Sequence, residues 1–554
     1  MKTFKTFVVI SLLLASSGAW AYSTPNVPVD DPVYRDIDKL VASGLVKDVI
    51  YGQRPWSRRE IARIVAIAMS NIEKNPPMTP DDREISERVY NSEIVERLKE
   101  RFHDELVDAD SIPGDPKNIR VNPLEEVRFD YTLMDSPFRA IPVDNGLGLI
   151  NGVVNPLVAY REGRHYVDGS TLAFETTHTA KLSRFFSLYL QPRFEGLVPN
   201  TGGSDFNPLI QRAYGKFAYR NFEVEAGRDS LIWGQGEFGG LMFSNNARPL
   251  DMIKLTSSAP FYHPWIFRYL GPSKYTFFIA NLGPESSFKN SFLYGFRVAI
   301  RPVSFLELGF DHSIILGGDG APALDWFDPI GEFFFVRRGG LSGTGSQVAD
   351  HRFGADWRLR IPPLRNTEWY FETLWDDFGR QSVATNITQQ MAFVTGIYVP
   401  RLNSEGNSDL RLEFSHIPPI LYRHSFWTSG FTLNRLMLGN ELGPDSDRAR
   451  LTFRHDFRPG HVLTLETAYG NMDGDTYTQT LSSKGQADRV VKVTDGPTEH
   501  RWVFQGGFLW EVRRDVTLNL LAGYEHVWNL GFVLNHNVDN FMGGFSVSYK
   551  PGWF

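Results

Sequence analysis

The stretch "VRFDYTL", residues 127–133, places Val127, Phe129, Tyr131 and Leu133 in alternation with Arg128, Asp130 and Thr132. Successive side chains leave a strand on opposite faces, so this pattern predicts a β-strand with one apolar and one water-compatible face. Leu188, Leu190 and Phe194 alternate in the same way with Ser187, Tyr189, Gln191, Arg193 and Glu195. Phe353, Ala355, Trp357 and Leu359 do so against Arg352, Asp356, Arg358 and Arg360, as do Leu451 and Phe453 against Arg450, Thr452 and Arg454. Arginine and glutamate on the second face of several strands do not suit a dry sandwich core; they suit the wet lumen of a large membrane barrel. Pro192 falls inside one of these patterns, where it removes a ladder hydrogen bond and argues against an uninterrupted strand. A soluble, exported all-β protein is the competing architecture.

Outward from these strands, short turns are expected at 181–184, 220–221, 301–304, 458–461 and 512–515. Longer connections are expected at 196–208, 231–251, 316–349, 417–446, 471–499 and 527–539. Short turns on one side and long loops on the other are the habit of outer-membrane barrels, which also favour an even strand number. Segments from Val127 onward amount to about 16 to 20 strands. Aromatic residues, 14% of the chain, supply material for the interfacial girdles. Near the end, Phe545, Val547 and Tyr549 alternate until Pro551-Gly552 breaks the phase before Phe554.

Lys2 and Lys5, the apolar run Phe7 to Leu14 and the small residues up to Ala19-Trp20-Ala21 have the layout of a secretory signal peptide, residues 1–21. No apolar run long enough for a transmembrane helix follows, which leaves a closed barrel as the route across a bilayer. The chain has no cysteine, so it has neither disulfides nor thiolate metal sites. The formal net charge is −7 and becomes more negative once Lys2 and Lys5 are removed; with no basic stripe, this argues against nucleic acid as a partner.

Between the signal peptide and the first strand the periodicity is helical. Asp31-Pro32 starts a helix with Ile37, Leu40, Val41 and Leu45 on one face, and Ser57 to Glu60 form a capping box before Ile61, Ile64, Val65, Ala68 and Met69. Thr79-Pro80-Asp81-Asp82 opens a third helix bearing Ile85, Val89, Val95, Leu98 and Phe102. The expected organisation is a periplasmic helical domain at 22–106, a linker rich in Asp, Pro and Gly at 107–126, and an outer-membrane barrel at 127–554. The helical domain is either a cap on the barrel or a docking module for a periplasmic partner.

One segment departs from the alternation: "IWGQGEFGGLMFSNNARPLD", residues 232–251. Gln235, Asn245 and Asn246 each present a donor and an acceptor amide group, as a polyol requires. Trp233 offers a flat face on which a pyranose packs, and Arg248 a fork for a uronic acid carboxylate. The glycines at 234, 236, 239 and 240 allow tight turns or close approach to a ligand. The competing reading is an inward plug, with the amides and Arg248 bound to backbone and lumen groups.

With its signal peptide, its "RPWSRREIARIV" segment and above all "SNNARP" at 244–249, the chain resembles the Wzi family of outer-membrane capsule-assembly proteins. That resemblance implies an eighteen-stranded barrel with a periplasmic helical bundle. It also implies a lectin-like role in holding capsular or surface polysaccharide at the surface of a Gram-negative cell, and outer-membrane lipid as surroundings. A substrate-selective porin is the first alternative and an outer-membrane glycan-modifying enzyme the second.

No catalytic residue, metal site or cofactor is expected. The candidates are Asp376-Asp377, which point to opposite faces of a strand, Asp325 with Asp328, and His312, His416 and His455, which are scattered singly; all read as lumen or loop polar groups. Asn471, Asp473 and Asp475 open like a calcium loop, but Thr476 and Ser482 occupy the places of the required glycine and glutamate.

Overall fold

The computed structural model describes residues 22–74, 82–237, 240–322, 331–332, 349–376, 389–481 and 487–552. The expected signal peptide lies outside them, as do Thr79 to Asp81, Gly239, Asp325, Asp328, Asp377, Ser482 and Phe554.

Eighteen antiparallel strands close into one barrel. In chain order they are β1 (Arg120–Met134), β2 (Gly169–Lys181), β3 (Phe186–Pro199), β4 (Asp205–Tyr219), β5 (Phe222–Asp229), β6 (Leu250–Ser257), β7 (Ser273–Asn281), β8 (Phe292–Val303) and β9 (Leu306–Leu316). The second half comprises β10 (Asp350–Ile361), β11 (Thr367–Asp376), β12 (Ala392–Val399), β13 (Ser408–Ile417), β14 (Ser446–Arg458), β15 (His461–Asp473), β16 (Thr498–Arg513), β17 (Val516–Trp528) and β18 (Val538–Tyr549). The seam is antiparallel, running from Val127↔Tyr549 to Met134↔Met542, so no edge strand is left unpaired.

The alternation is as expected. On β3, Leu188, Leu190 and Phe194 face outward while Ser187, Tyr189, Gln191, Arg193 and Glu195 are buried inside. Pro192 is accommodated by a register shift between Gln191 and Pro192 against β4, a bulge that removes the need for its missing N–H. Inward charges are paired rather than merely wet. Arg193 meets Glu195 at 2.7 Å and Asp130 at 2.8 Å, and Arg358 meets Glu368 at 2.7 Å.

Two expected boundaries move. The barrel begins at Arg120, inside the segment read as a linker, because Arg120 to Asn122 pair with Thr179 to Lys181. The ladder then shifts register between Asn122 and Glu126, around Pro123, which hides the alternation until Val127. The 196–208 connection shrinks to 200–204, since both flanking strands run past the apolar pattern. Long connections not anticipated lie at 135–168, 282–291 and 377–391, on the same end as the expected ones.

The N-terminal helices are α1 (Val33–Ala42), α2 (Arg58–Lys74), α3 (Asp82–Arg101) and α4 (His103–Asp108). Asp31 Oδ1 accepts from Val33 N at 2.9 Å, and Ser57 Oγ from Glu60 N at 3.2 Å, as the start signals require. Ile37, Leu40, Ile61, Ile64, Val65, Leu98 and Phe102 form their shared core. Val89 is exposed; Tyr90 and Ile94 turn inward in its place.

This region inserts into the short-turn mouth of the barrel. Lys39 Nζ lies 2.8 Å from Asp409, Arg35 lies 2.6 Å from Asp456, and Glu60 lies 2.7 Å from Lys274 of β7. Asn26 Nδ2 donates to Glu225 and Asp229 at 2.8 and 2.7 Å.

Candidate functional site

Between β5 and β6 the chain enters the lumen from the long-loop end. Ile232 and Trp233 form a two-residue antiparallel ladder with Arg54 and Gln53, which reach in from the opposite end beside the helices. Gly234 N donates to Gly52 O at 3.1 Å. Segments from the two mouths thus meet inside the barrel.

Gln235 is fully buried and acts as a hub. Its Nε2 donates to Asp356 at 2.7 Å and Glu307 at 3.1 Å; Arg358 donates to its side-chain oxygen at 2.9 Å and to its carbonyl at 2.8 Å. Glu372 accepts from Gln235 N at 3.2 Å and from Leu241 N. Glycine is needed on both sides of this carboxylate: Gly234 has φ +115°, and a Cβ on Gly234 or Gly240 would collide with Glu372.

Trp233 is 1% exposed and packs edge-on against Phe243 at 5.1 Å and Phe278 at 5.4 Å. Its faces meet protein, so its contribution here is to the core above the ladder. Asn246 is also bound: its Nδ2 donates to Met437 O at 3.0 Å and its Oδ1 accepts from Tyr160 N at 3.4 Å. Ser244 Oγ donates to Gly439 O at 2.6 Å, and Glu162 N to Asn245 O at 2.7 Å. The "SNN" backbone is therefore clamped between the 135–168 and 418–445 loops.

Asn245 and Arg248 differ from the rest. Asn245 Oδ1 and Arg248 Nε are buried without a hydrogen-bond partner, and both residues line a cavity of about 10 Å³, room for one water. The Arg248 side chain is 34% exposed, and its Nη2 lies 3.9 Å from Asp251. Burial, then the Arg228 charge, lowers the Arg248 pKa, so its cation is poorly compensated.

Among the described residues, those considered for catalysis do not converge; Asp325, Asp328 and Asp377 lie outside them. Asp376 accepts from Tyr422 N at 2.9 Å and faces Arg352 at 2.9 Å. His416 meets Asp447 at 2.7 Å, His455 meets Ser408 Oγ at 2.8 Å, and His312 stacks on Phe353 at 4.2 Å, each on its own stretch of wall. Asp473 accepts from Thr498 and Asp475 from Gly496 N, at 2.6 and 2.8 Å. Among the described residues, no group of three or more potential metal ligands comes together.

A closed barrel with apolar strand faces outward, short turns at one end and a lumen filled by a long-loop segment defines a plugged outer-membrane-type β-barrel. The chain belongs to the capsule assembly protein Wzi family, whose signature matches residues 153–540. It is 23% identical over 354 residues to an uncharacterised 55.8 kDa protein from the cps region of Klebsiella pneumoniae; the match covers 63% of this chain and 58% of that protein. In structure it is similar to Escherichia coli Wzi, an outer-membrane protein involved in group 1 capsule assembly and a carbohydrate-binding β-barrel. The TM-score is 0.63 at 16% identity, over 97% of this chain and 100% of that one.

Proposed function

We propose that this protein binds capsular or surface polysaccharide at its long-loop face and supports capsule assembly or attachment at the Gram-negative outer membrane. The observation that carries this reading is the occupied lumen: residues 230–237 and 240–249 lie within it and bond to the wall, while the 135–168 and 418–445 loops pack against that segment. Such a molecule offers a firm surface and little room for transport, which favours a binding protein over a porin. Family membership and the carbohydrate binding of E. coli Wzi support the same reading.

In this reading residues 1–21 are removed on export, the helical region at 22–106 faces the periplasm, and the long loops face outward. Of the five glycan-contact candidates, Arg248 and Asn245 are the ones with an unpartnered polar atom, and Arg248 is the one whose side chain reaches the surface. Trp233, Gln235 and Asn246 build the support beneath them. Equilibrium binding of the purified protein to capsular polysaccharide from its own source tests the proposal. Saturable binding supports it. Failure of well-folded protein to bind, combined with ion conductance in planar bilayers, replaces it with the porin.

A further inference from the structure

The short-turn end carries one connection unlike the others. Residues 258–272 join β6 to β7, whereas the remaining connections at that end run from the two-residue turn 220–221 to the segment 400–407. This lobe contains a short 3₁₀ helix, Trp265–Leu270, and leaves Tyr262, Trp265, Ile266, Phe267 and Tyr269 between 58% and 87% exposed. No larger run of neighbouring apolar side chains is so open at that end among the described residues.

Its stem fixes where it lies. Phe261 and Ser273 exchange backbone hydrogen bonds of 3.0 and 2.9 Å. The Phe261 and His263 rings sit 5.8 and 5.6 Å from that of Tyr275, whose hydroxyl meets His263 Nε2 at 3.0 Å. Tyr275 alternates with the buried Lys274 and Thr276, so it stands on the outer wall, and its ring neighbours outward-facing Phe296 at 6.4 Å. Arg301 N donates to Pro272 O at 3.0 Å, tying the lobe to β8. The lobe is therefore continuous with the lipid-facing surface and sits at the rim of the mouth that receives the helices, with Asp48 and Arg63 near Tyr262.

Its chemistry matches a bilayer interface. Tryptophan and tyrosine favour headgroup depth, where an apolar ring and a polar tip are both satisfied. No Asp or Glu occurs from Ser258 to Ser273, and Arg268 lies over the Tyr269 ring at 5.0 Å with its Nη2 donating to the Tyr269 hydroxyl at 3.1 Å. A snorkelling guanidinium with no ion pair among the described residues suits lipid phosphates.

We infer that residues 262–270 form an interfacial anchor that dips into the phospholipid leaflet at the short-turn end. The inference rests on the barrel spanning the outer membrane as proposed above, and not on polysaccharide binding. The test exploits the absence of native cysteine: Ile266→Cys in the full chain is labelled with a small fluorophore and reconstituted into phosphatidylethanolamine/phosphatidylglycerol vesicles. Arg514→Cys, in a two-residue turn at the same end, serves as the aqueous control, and outward-facing Leu412→Cys as the bilayer control.

Lipids with brominated chains are expected to quench the label at 266 several-fold more than at 514, with iodide on both sides of the bilayer doing the reverse. Iodide quenching at 266 equal to that at 514, while Leu412→Cys responds to brominated lipid, overturns the anchor and leaves the barrel intact. Absence of lipid quenching at Leu412→Cys defeats the spanning barrel itself. Protection at 266 from both quenchers, with cross-linking between copies through that position, overturns the anchor in favour of a second copy of the chain.

Discussion

Gln53 and Trp233 lie opposite one another in an antiparallel ladder within the barrel lumen, one arriving from the short-turn mouth and the other from the long-loop mouth. The closure of the pore is thus shared by both ends of the molecule. Replacing 234–249 with a short Gly-Ser connection is expected to give ion conductance in planar bilayers where the intact protein gives none; a silent variant of normal fold would show that other elements suffice to block the lumen.

Gly234→Val is expected to destabilise the folded barrel by roughly 1–3 kcal/mol, because a β-branched residue is forced to positive φ while meeting the Glu372 carboxylate. The midpoint of heat-induced loss of the compact form on gel electrophoresis measures this. An unchanged midpoint would mean that the segment leaves the lumen at no cost.

Asp409 lies against both Lys39 and Arg35, at 2.8 and 3.0 Å. Asp409→Ala leaves Lys39 without its carboxylate at the buried contact between helices and wall, while Arg35 keeps Asp456, a loss of about 3–5 kcal/mol for a broken buried pair. Limited proteolysis is expected to cut the variant faster in the 109–119 segment that joins the helices to the barrel, with the barrel strands remaining protected.

Arg248→Ala and Asn245→Ala are expected to weaken polysaccharide binding about tenfold each, near 1.4 kcal/mol, with little change in stability. Trp233→Ala is expected to act first on stability, by about 3–5 kcal/mol, since it empties an aromatic core. Isothermal titration beside thermal melts separates the two effects; a Trp233 variant that melts normally yet fails to bind would restore that residue to the ligand surface.

A pH effect is expected at the long-loop end. Burial raises Asp445 to about 7, with the Asp473 and Asp475 charges adding to the rise and the Tyr477 hydrogen bond and Arg423 opposing it. The folded pKa exceeds that of an unfolded aspartate, about 4, so this contribution to stability is fully present below about pH 4 and is lost as the pH rises through about 7. Amide exchange at Tyr477, whose N–H donates to Asn145 O at 2.7 Å, is expected to lose protection between about pH 4 and 7 beyond the intrinsic rate change and to level off above that, the span being set by the same linkage. Asp445→Asn is expected to abolish the difference.

The barrel could be read from the sequence because lipid and lumen impose opposite chemistries on alternate residues, a signal repeated on strand after strand. It failed where backbone geometry interrupts the phase, as at Pro123, and where polar strand ends such as Asp205 carry no apolar marker. The 232–251 segment was conspicuous for its glycines and amides. What remained hidden was direction: Gln235 and Arg248 are equally polar in sequence, yet one is a buried hub and the other reaches the surface. Its partners Gln53, Glu307, Asp356 and Glu372 lie far away in the chain, so no local pattern joins them. The 258–272 lobe has no period-two alternation or helical spacing to mark it, and its exposure depends on where the β6 and β7 ends lie.

The clamp on Ser244 to Asn246 and the Gln53–Trp233 ladder also form a mechanical linkage. A pull on the long loops loads the backbone through Phe243 and Trp233 into the short ladder and on to the wall charges that grip Gly52 and Gln235. The load is divided among many hydrogen bonds strained side by side instead of being carried by one hinge. Tension applied at the long-loop end therefore ends in the barrel wall and the helices behind it.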